Sequence, residues 1–395
     1  MSKLLARPGV RNMLLSLALL CAAASLMCWP QESIAAAKDG ITLCSNVIIP
    51  SLFPFFVLSA LVVNLGLADY LGRGLEHVMG PLFRLPGACA SAVALGFIGG
   101  YPVGARTALS LYEKGLCSRS EAERLLAFCN NSGPAFILGV VGAGVFASNR
   151  IGILLYLAHA AASLCIGLLF RFYHSGDRKR GTRRAHPSHI AAEHLTVVFT
   201  TAVKDSFLSI LNICAFVIFF SVAIRMLFLS GILPGMATVL SLLLSPIGLS
   251  RESVEHLLTG AIELSSGVWS LTGPGALAGK LSMAAFMLGW AGVSIHCQVL
   301  SFLGGSGLST RTYFVGKLLH GVLSAVFITG LVHFVGLGQP VSACLAEQVE
   351  NIAELDFSTV LTLSLAVAFL VWLLFFAMAV AAAGKLDSKP RRHVL

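Results

Sequence analysis

The sequence predicts an all-α polytopic membrane protein with about eight transmembrane helices and two re-entrant hairpins in inverted repeats. Of its 395 residues, 56% are hydrophobic and 11% are charged, whereas soluble globular proteins carry about 25% charged residues. Long uncharged stretches recur along the whole chain, and most reach the roughly 20 residues that a helix needs to cross a bilayer. This composition excludes a soluble enzyme, a fibrous repeat and a disordered protein.

Basic residues give the chain a net charge of +9 and predict its orientation. They cluster ahead of the first apolar run, in the segment 171–184 and in the segment 385–392. Because basic loops stay on the cytoplasmic side of a membrane, all three segments, and with them both termini, are expected in the cytoplasm. No nucleic-acid-binding motif accompanies these segments, so no nucleic-acid partner is expected.

The first apolar run, residues 13–30, has two interpretations. Basic residues precede it and small residues at 35–37 follow it, as in a cleavable signal peptide. An uncleaved transmembrane helix is favoured, because a second apolar run, 41–67, follows at once and because the apolar core is long.

The third apolar run, 86–112, is predicted to form the first re-entrant hairpin. If it and the next two runs, 124–148 and 151–170, each crossed once, the basic segment 171–184 would lie outside, against the charge rule. The run contains GGYPVGA from Gly99, in which glycine permits a reversal and proline ends a helix. Irregular backbone at membrane depth is tolerated only when it is buried in protein or lines a watery cavity, so the hairpin is expected to mark a site.

The second half repeats this pattern from the opposite side of the membrane. The hairpin breaks at 99 and 265 are 166 residues apart. Asn131 in the polar interruption NNSGP and His296 in the polar interruption SIHCQ are 165 residues apart. Such an offset predicts the inverted repeats of a secondary transporter, in which interrupted helices form the substrate site near the midplane. The predicted crossings of this half are 207–229, 281–304, 311–336 and 357–383, with a hairpin in 232–274.

The chain therefore divides into six segments, and the substrate site is expected near the midplane, at the four breaks in the helices. The segments are an N-terminal helix with an external loop (1–40), a first repeat (41–173), a basic cytoplasmic linker (174–205), a second, inverted repeat (206–340), an acidic external loop (341–356) and a last helix with a basic cytoplasmic tail (357–395).

Polar residues at the breaks are the candidate substrate-binding residues. Arg106 is a lone charge in an apolar stretch, and its planar guanidinium is suited to bind a carboxylate. Alternatively, Arg106 lies at the cytoplasmic edge of the hairpin and extends its charged group to the membrane surface. The amides near 130 either bind a ligand or make polar contacts between helices. The full candidate set is Gly99, Gly100, Tyr101, Pro102, Gly104, Arg106, Asn130, Asn131, Ser132, Ser265, Ser266 and Gln298.

Two titratable residues are candidates for coupling. Glu263 either binds a coupling cation or a proton, or balances the charge of Arg106, and His296 either relays a proton or packs as a hydrogen-bonded residue. Tyr101 and Trp269, each at a break, can stack on an aromatic ligand. The sequence contains no metal-ligand cluster, nucleotide loop or nucleophile–base pair at recognisable spacing, so no metal, cofactor or enzymatic activity is expected.

Five motifs in combination resemble the YlbJ (SpoVV) family of sporulation integral membrane proteins. They are IPSLFPFFVLSALV from Ile49, GPLFRLPG from Gly80, GGYPVGA from Gly99, ERLLAFCNNSGPAFILGVVG from Glu123 and GAIELSSGVW from Gly260. The resemblance extends over about residues 10–385. This family belongs with the Gate (nucleoside-recognition) membrane domains of concentrative nucleoside transporters, spore maturation proteins and a ferrous-iron transporter, which implies re-entrant hairpins in inverted repeats.

The resemblance implies transport of dipicolinic acid across the outer forespore membrane of the sporulating mother cell by alternating access. Dipicolinate is a planar dianion, and Arg106, the Asn130–Asn131 pair, Ser265, Ser266 and helix N-termini are suited to bind it. Two alternatives stay open: transport of a nucleoside or another small polar solute, and a non-transporting scaffold for the spore envelope. The expected partners are an anionic solute, the lipid bilayer and, as the concentrative relatives suggest, further copies of the chain.

Overall fold

The computed structural model describes residues 8–64, 78–173 and 195–335, together with Thr362. These residues form helices and short connections, and no strand occurs among them. The predicted all-α class is therefore confirmed. The predicted acidic loop 341–356 and, apart from Thr362, the last predicted crossing at 357–383 lie outside the described residues.

The helices of the first half end where glycine, proline or a polar cap interrupts the apolar sequence. Pro30 begins the second helix, which meets the first at an angle of 97°, because proline suits a first helical position but lacks the amide that would continue the preceding helix. The helices are α1 (Pro8–Cys28), α2 (Pro30–Leu43), α3 (Ile49–Asn64), α4 (Ala90–Gly99), α5 (Val103–Glu113), α6 (Arg119–Leu126) and α7 (Asn149–Phe170), with π-helical segments Cys44–Ile48 between α2 and α3 and Ala135–Val145 before α7.

The second half repeats the order of elements found in the first. In each half a helix hairpin is followed by a broken helix and then by a long helix. The helices of this half are α8 (Leu195–Leu229), α9 (Ile232–Leu244), α10 (Arg251–Ile262), α11 (Leu264–Trp269), α12 (Leu277–Trp290), α13 (Gly292–Leu303) and α14 (Arg311–Val335). The hairpins are α4–α5 and α10–α11, the broken helices are α6 with Ala135–Val145 and α12–α13, and the long helices are α7 and α14.

Four spans in the described part of the chain are long and apolar enough to cross a bilayer, or five if the bent pair α1–α2 counts as one. These four spans, 149–170, 196–229, 277–303 and 311–334, coincide with predicted crossings. The predicted crossing 124–148 instead divides at NNSGP into α6 and Ala135–Val145. The described residues therefore do not establish the predicted count of eight.

The first hairpin reverses at the predicted glycine–proline motif. Gly100 has a φ of 72°, a conformation that is accessible to glycine at little cost. A Cβ atom on Gly96 or Gly104 would lie 1.8 or 2.0 Å from the carbonyl oxygen of Cys129. Glycine is required at both positions because this carbonyl lies between α4 and α5.

The second hairpin is also held together by glycine. A Cβ atom on Gly267 would lie 2.1 Å from the Cα atom of Gly260, so α10 and α11 touch backbone to backbone. The chain turns at Glu263, whose extended backbone (φ −139°, ψ 121°) separates the two helices. The break predicted at ELSSGVW is confirmed.

The break in the second broken helix lies at Ala291 and Gly292, and its predicted position at SIHCQ is wrong. Both residues have a φ of 83°, and α13 then continues through Ser294, His296 and Gln298. Polar side chains predicted the interruption too late in the sequence, because the backbone of two small residues ahead of SIHCQ produces it.

α12 and α14 approach each other at a pair of glycines. A Cβ atom on Gly289 would lie 2.5 Å from the Cα atom of Gly321, so neither position has room for a side chain. α14 also packs along α7. α14 thus packs against α12 and α6, and α7 packs against Ala135–Val145, so these two long helices contact parts of both broken helices.

Candidate functional site

A cavity of about 530 Å³, its open mouth included, lies where the two hairpin tips meet the two broken helices. The lining residues are Gly99, Gly100 and Tyr101 of the first hairpin; Ser132, Gly133 and Phe136 of the first broken helix; Glu263, Leu264 and Ser265 of the second hairpin; Ser294, Ile295 and Gln298 of α13; and Ile48, Leu52, Ile213 and Val217.

The cavity brings together half of the residues that the sequence predicts for substrate binding or coupling. Those that line it are Gly99, Gly100, Tyr101, Ser132, Glu263, Ser265 and Gln298. Those that lie outside its lining are Pro102, Gly104, Arg106, Asn130, Asn131, Ser266 and His296.

The tip of the first hairpin rests directly on the first broken helix. A Cβ atom on Gly100 would lie 2.7 Å from the backbone nitrogen of Gly133. Beside this contact, the buried hydroxyl of Tyr101 donates a hydrogen bond to the carbonyl oxygen of Leu288 at 2.6 Å. The tip is thus fixed both to the first break and to α12.

Side chains satisfy the backbone groups that the first break leaves without helical partners. Asn131 Nδ2 and Ser163 Oγ both donate to the carbonyl oxygen of Phe128, at 3.0 and 2.7 Å. The backbone N–H of Ser132 donates to His159 Nε2 at 3.0 Å. Buried backbone groups need such partners, so the Asn131 amide nitrogen serves the backbone in this conformation.

Glu263 caps the short helix of the second hairpin. Its Oε1 atom accepts a hydrogen bond from the backbone N–H of Ser265 at 2.9 Å, and its Oε2 atom accepts one from Ser266 at 2.6 Å. The side chain is 2% exposed. Within residues 8–64, 78–173 and 195–335 no ion pair joins Glu263 to Arg106, so the carboxylate is held by backbone amides.

Arg106 lies on the exposed side of α5, outside the cavity. Its Nη1 atom donates to Ser209 Oγ of α8 at 3.2 Å, and its guanidinium carbon lies 5.6 Å from the centroid of the Phe302 ring. The arginine therefore joins α5 to α8 and α13 in this conformation.

His296 is a buried, hydrogen-bonded packing residue in this conformation. Its Nδ1 atom lies 2.9 Å from the hydroxyl of Tyr313, and the edge of its ring meets Trp290 at a centroid distance of 4.5 Å. Trp269, the other predicted aromatic candidate at a break, is 52% exposed and does not line the cavity.

A buried lysine behind the cavity did not emerge from the sequence reasoning. Lys317 of α14 is 1% exposed. Its Nζ atom donates to the hydroxyl of Tyr101 at 3.0 Å and to the carbonyl oxygen of Asn130 at 2.9 Å, and lies 3.3 Å from His320 Nδ1. The sequence could have indicated this residue, because Lys317 is the only Lys, Arg, Asp or Glu between 312 and 335.

Three helices begin at the cavity without a side-chain cap. They are α5, the π-helical segment Ala135–Val145 and α13, whose N-cap residues are Pro102, Pro134 and Ala291. Helix N-termini carry partial positive charge. Together with the ammonium of Lys317, these N-termini favour negative charge in the cavity, whereas the C-terminus of α4 at Gly99 and the carboxylate of Glu263 at the N-terminus of α11 oppose it.

Comparisons with known proteins bear on both the sequence and the fold. Residues 46–173 match the Gate family, described as nucleoside recognition. The chain is 31% identical over 335 residues to the sporulation integral membrane protein YlbJ of Bacillus subtilis (strain 168), covering 81% of this chain and 82% of that protein. Its fold is similar to that of a variant of CNTnw in the intermediate 3 state, with a TM-score of 0.48 and 14% identity, covering 85% of this chain and 89% of that chain. It is also similar to CNTnw in an inward-facing substrate-bound state, with a TM-score of 0.44 and 14% identity, covering 85% of this chain and 88% of that chain.

Proposed function

The chain belongs to the family of the sporulation integral membrane protein YlbJ, and on that premise we propose that it transports dipicolinic acid across the outer forespore membrane by alternating access. The observation that carries the proposal is the cavity at which both hairpin tips and both broken helices meet. Interrupted helices that converge in this way form the substrate sites of secondary transporters.

The electrostatics of the cavity support an anionic solute. Lys317 lies behind Tyr101, in direct contact with that residue's hydroxyl, and the uncapped N-termini of α5, Ala135–Val145 and α13 lie next to residues that line the cavity. An anion near such groups gains energy because the surrounding protein screens charge weakly. The negative charge of Glu263 disfavours an anion in the cavity, but two backbone N–H groups already bind its carboxylate.

The polar and apolar lining groups support a planar aromatic acid. Ser265, Ser294 and Gln298 bring hydroxyl and amide groups to one side of the cavity. Hydrogen bonds from such donors to a carboxylate are charge-assisted and strong. Phe136 and the ring of Tyr101 supply aromatic surface, against which a pyridine ring can pack.

Alternating access is supported by the small contact between the first hairpin and the broken helix. Gly100 meets Gly133 without an intervening side chain, so a shift of this tip needs no side-chain repacking at that contact and requires the release of the Tyr101 hydroxyl from Leu288 and Lys317. Arg106, which contacts α8 here, is proposed to reach the substrate in another state of the cycle.

A second candidate, transport of a nucleoside, is favoured by a specific observation. The segment that matches the Gate family, described as nucleoside recognition, is residues 46–173, which contains the first hairpin and the first break. A neutral nucleoside would use the same hydroxyl and amide groups, and the Glu263 carboxylate could accept hydrogen bonds from its ribose hydroxyls.

The test is uptake of labelled dipicolinate into proteoliposomes that contain the purified protein, with uridine as competitor. Saturable uptake that is indifferent to uridine supports the dipicolinate carrier, and uptake that uridine abolishes supports the nucleoside carrier. Loss of uptake in a folded Arg106→Ala variant would support the role of the arginine. No uptake of either solute by correctly inserted protein would refute transport by this chain alone and favour the scaffold.

A further inference from the structure

Lys317, His320 and His159 form a lysine–histidine cluster behind the cavity. Their exposed fractions are 1%, 0% and 0%. Lys317 Nζ lies 3.3 Å from His320 Nδ1, and His320 Nε2 lies 2.9 Å from the carbonyl oxygen of His159. The two imidazole rings are 4.3 Å apart between centroids. Apart from the charge of Lys317, substrate binding as proposed above does not use this cluster.

The hydrogen bonds around Lys317 match a protonated amine. An ammonium group has three donors and no acceptor, and three acceptors surround Nζ: the Tyr101 hydroxyl, the Asn130 carbonyl oxygen and His320 Nδ1. His320 Nε2 must carry a hydrogen because its partner, the carbonyl of His159, can only accept. His320 Nδ1 of the neutral ring is therefore free to accept from Lys317.

The same contacts hold when the proton moves to the histidine. Transfer breaks one N–H bond on Lys317 Nζ and forms one on His320 Nδ1, so the positive charge moves to the imidazolium. The neutral amine keeps two hydrogens for Tyr101 and Asn130, and its lone pair accepts from His320 Nδ1. One excess proton can thus be shared by two nitrogens without loss of a hydrogen bond.

Within residues 8–64, 78–173 and 195–335, the groups that face Lys317 include no carboxylate. The charges on α6 have other partners: Glu123 accepts hydrogen bonds from Arg119 and from the backbone of Ser309, and Arg124 donates to the backbone of Arg84 and Arg171. On α12, Lys280 donates to the backbone of Gly273. The titratable side chains near Lys317 in the described part of the chain are Tyr101 of the first hairpin, Cys129 beside the first break, His159 of α7, His296 of α13, and Tyr313 and His320 of α14.

We propose that Lys317 and His320 form a proton-binding site, and that the excess proton holds the tip of the first hairpin on the first broken helix. When the proton passes to water, the neutral pair of side chains has one hydrogen too few for its contacts. The amine then has two hydrogens for the three acceptors at Tyr101, Asn130 and His320. One of the three contacts then loses its donor at any time, so the bonds of Lys317 to the tip at Tyr101 and to the break at Asn130 are weakened.

The proton site touches the cavity through two residues that line it. Tyr101 accepts from Lys317, and Ser132 donates its backbone N–H to the ring of His159. An anionic solute in the cavity stabilises the protonated cluster, and loss of the proton removes that charge as the tip opens. The solute and the proton are therefore expected to move together, an extension that rests on the proposed transport function.

The first measurement needs no transport. Hydrogen exchange followed by mass spectrometry on the solubilised protein should report the protection factor of residues 96–105 as the pH is raised, without solute. Protection should fall by roughly tenfold or more, the ratio that corresponds to one charge-assisted hydrogen bond. Protection that does not change with pH in the wild-type protein would overturn the proton site.

Three variants make this test specific. Lys317→Arg keeps a positive charge that cannot be lost, so the pH response should disappear. His320→Gln keeps an acceptor for Lys317 and a donor for His159 but cannot share the proton, so the midpoint of opening should fall to lower pH. Lys114→Met removes an exposed lysine outside the site and should behave as the wild type. A wild-type pH response in both Lys317→Arg and His320→Gln would refute the assignment.

The second measurement is dipicolinate uptake into proteoliposomes with and without an inward proton gradient. The gradient should stimulate uptake by the wild type and by Lys114→Met, and not by Lys317→Arg. Uptake that ignores the gradient would refute coupling. A pH-dependent hairpin tip in a protein that moves no solute would leave the proton site standing and refute the transport function, so the two failures are distinguishable.

Discussion

Replacing Gly104 with alanine should separate the first hairpin from the first broken helix. The added Cβ atom would lie 2.0 Å from the carbonyl oxygen of Cys129 and 2.8 Å from its carbonyl carbon, whereas real Cβ atoms essentially never approach closer than 3.0 Å. The backbone must therefore move by about 1 Å, since no flexible side chain can yield. Overpacking of this kind lowers the free energy of unfolding by about 1–3 kcal/mol. Because the clash is with buried backbone, we expect a loss near the upper end, about 3 kcal/mol.

The displacement would also reach the proton site, because Asn130, which binds Lys317, directly follows Cys129. The assay is thermal unfolding in detergent, monitored by size-exclusion chromatography, together with dipicolinate uptake. Gly279→Ala is the matched control: it lies in α12, has nothing within 4 Å of its added Cβ, and should stabilise the helix by up to about 1 kcal/mol. If Gly104→Ala unfolds at the same temperature as Gly279→Ala and still transports, the reasoning is refuted.

Three further substitutions test individual contacts. Glu263→Ala should remove both bonds that cap α11 and cost about 0.5–2 kcal/mol, whereas Glu263→Gln keeps one acceptor and should cost less; equal losses in thermal melts would contradict the capping role. Tyr101→Phe leaves Lys317 without one acceptor and should cost about 1–3 kcal/mol of unfolding free energy; an unchanged melting temperature would count against the bond. Gln298→Ala should weaken dipicolinate binding by roughly tenfold without changing the melt, as titration calorimetry can show; wild-type affinity would exclude Gln298 from the site.

Much of the architecture could be predicted because charge and backbone chemistry act locally. The basic segment 171–184 required an even number of crossings, and GGYPVGA supplied glycine and proline at the place of reversal. The NNSGP interruption is confirmed because Pro134 cannot continue a helix. These signals depend on a few neighbouring residues, so one sequence suffices to detect them.

The parts that could not be predicted depend on helix phase and on contacts between distant segments. Arg106 lies in the predicted hairpin, but the turn of α5 places its side chain toward Ser209. Lys317 directly precedes the uncharged stretch 318–346 and resembles a residue at the end of a crossing. Its burial comes from Tyr101 and Asn130, about 190 to 220 residues earlier in the chain, and no local pattern contains this information.

The close contact between Gly289 and Gly321 predicts which parts of the molecule stay fixed during a conformational change. Any sliding of α12 against α14 would bring side chains of neighbouring turns into a gap that has room for glycine only, so the two helices are expected to stay in register throughout the cycle. α7, packed along α14 and linked to it through His159 and His320, belongs to the same frame. Conformational change is then expected at the hairpins, and for the first hairpin the contacts that must yield are the Gly100–Gly133 contact and the hydrogen bonds of Tyr101.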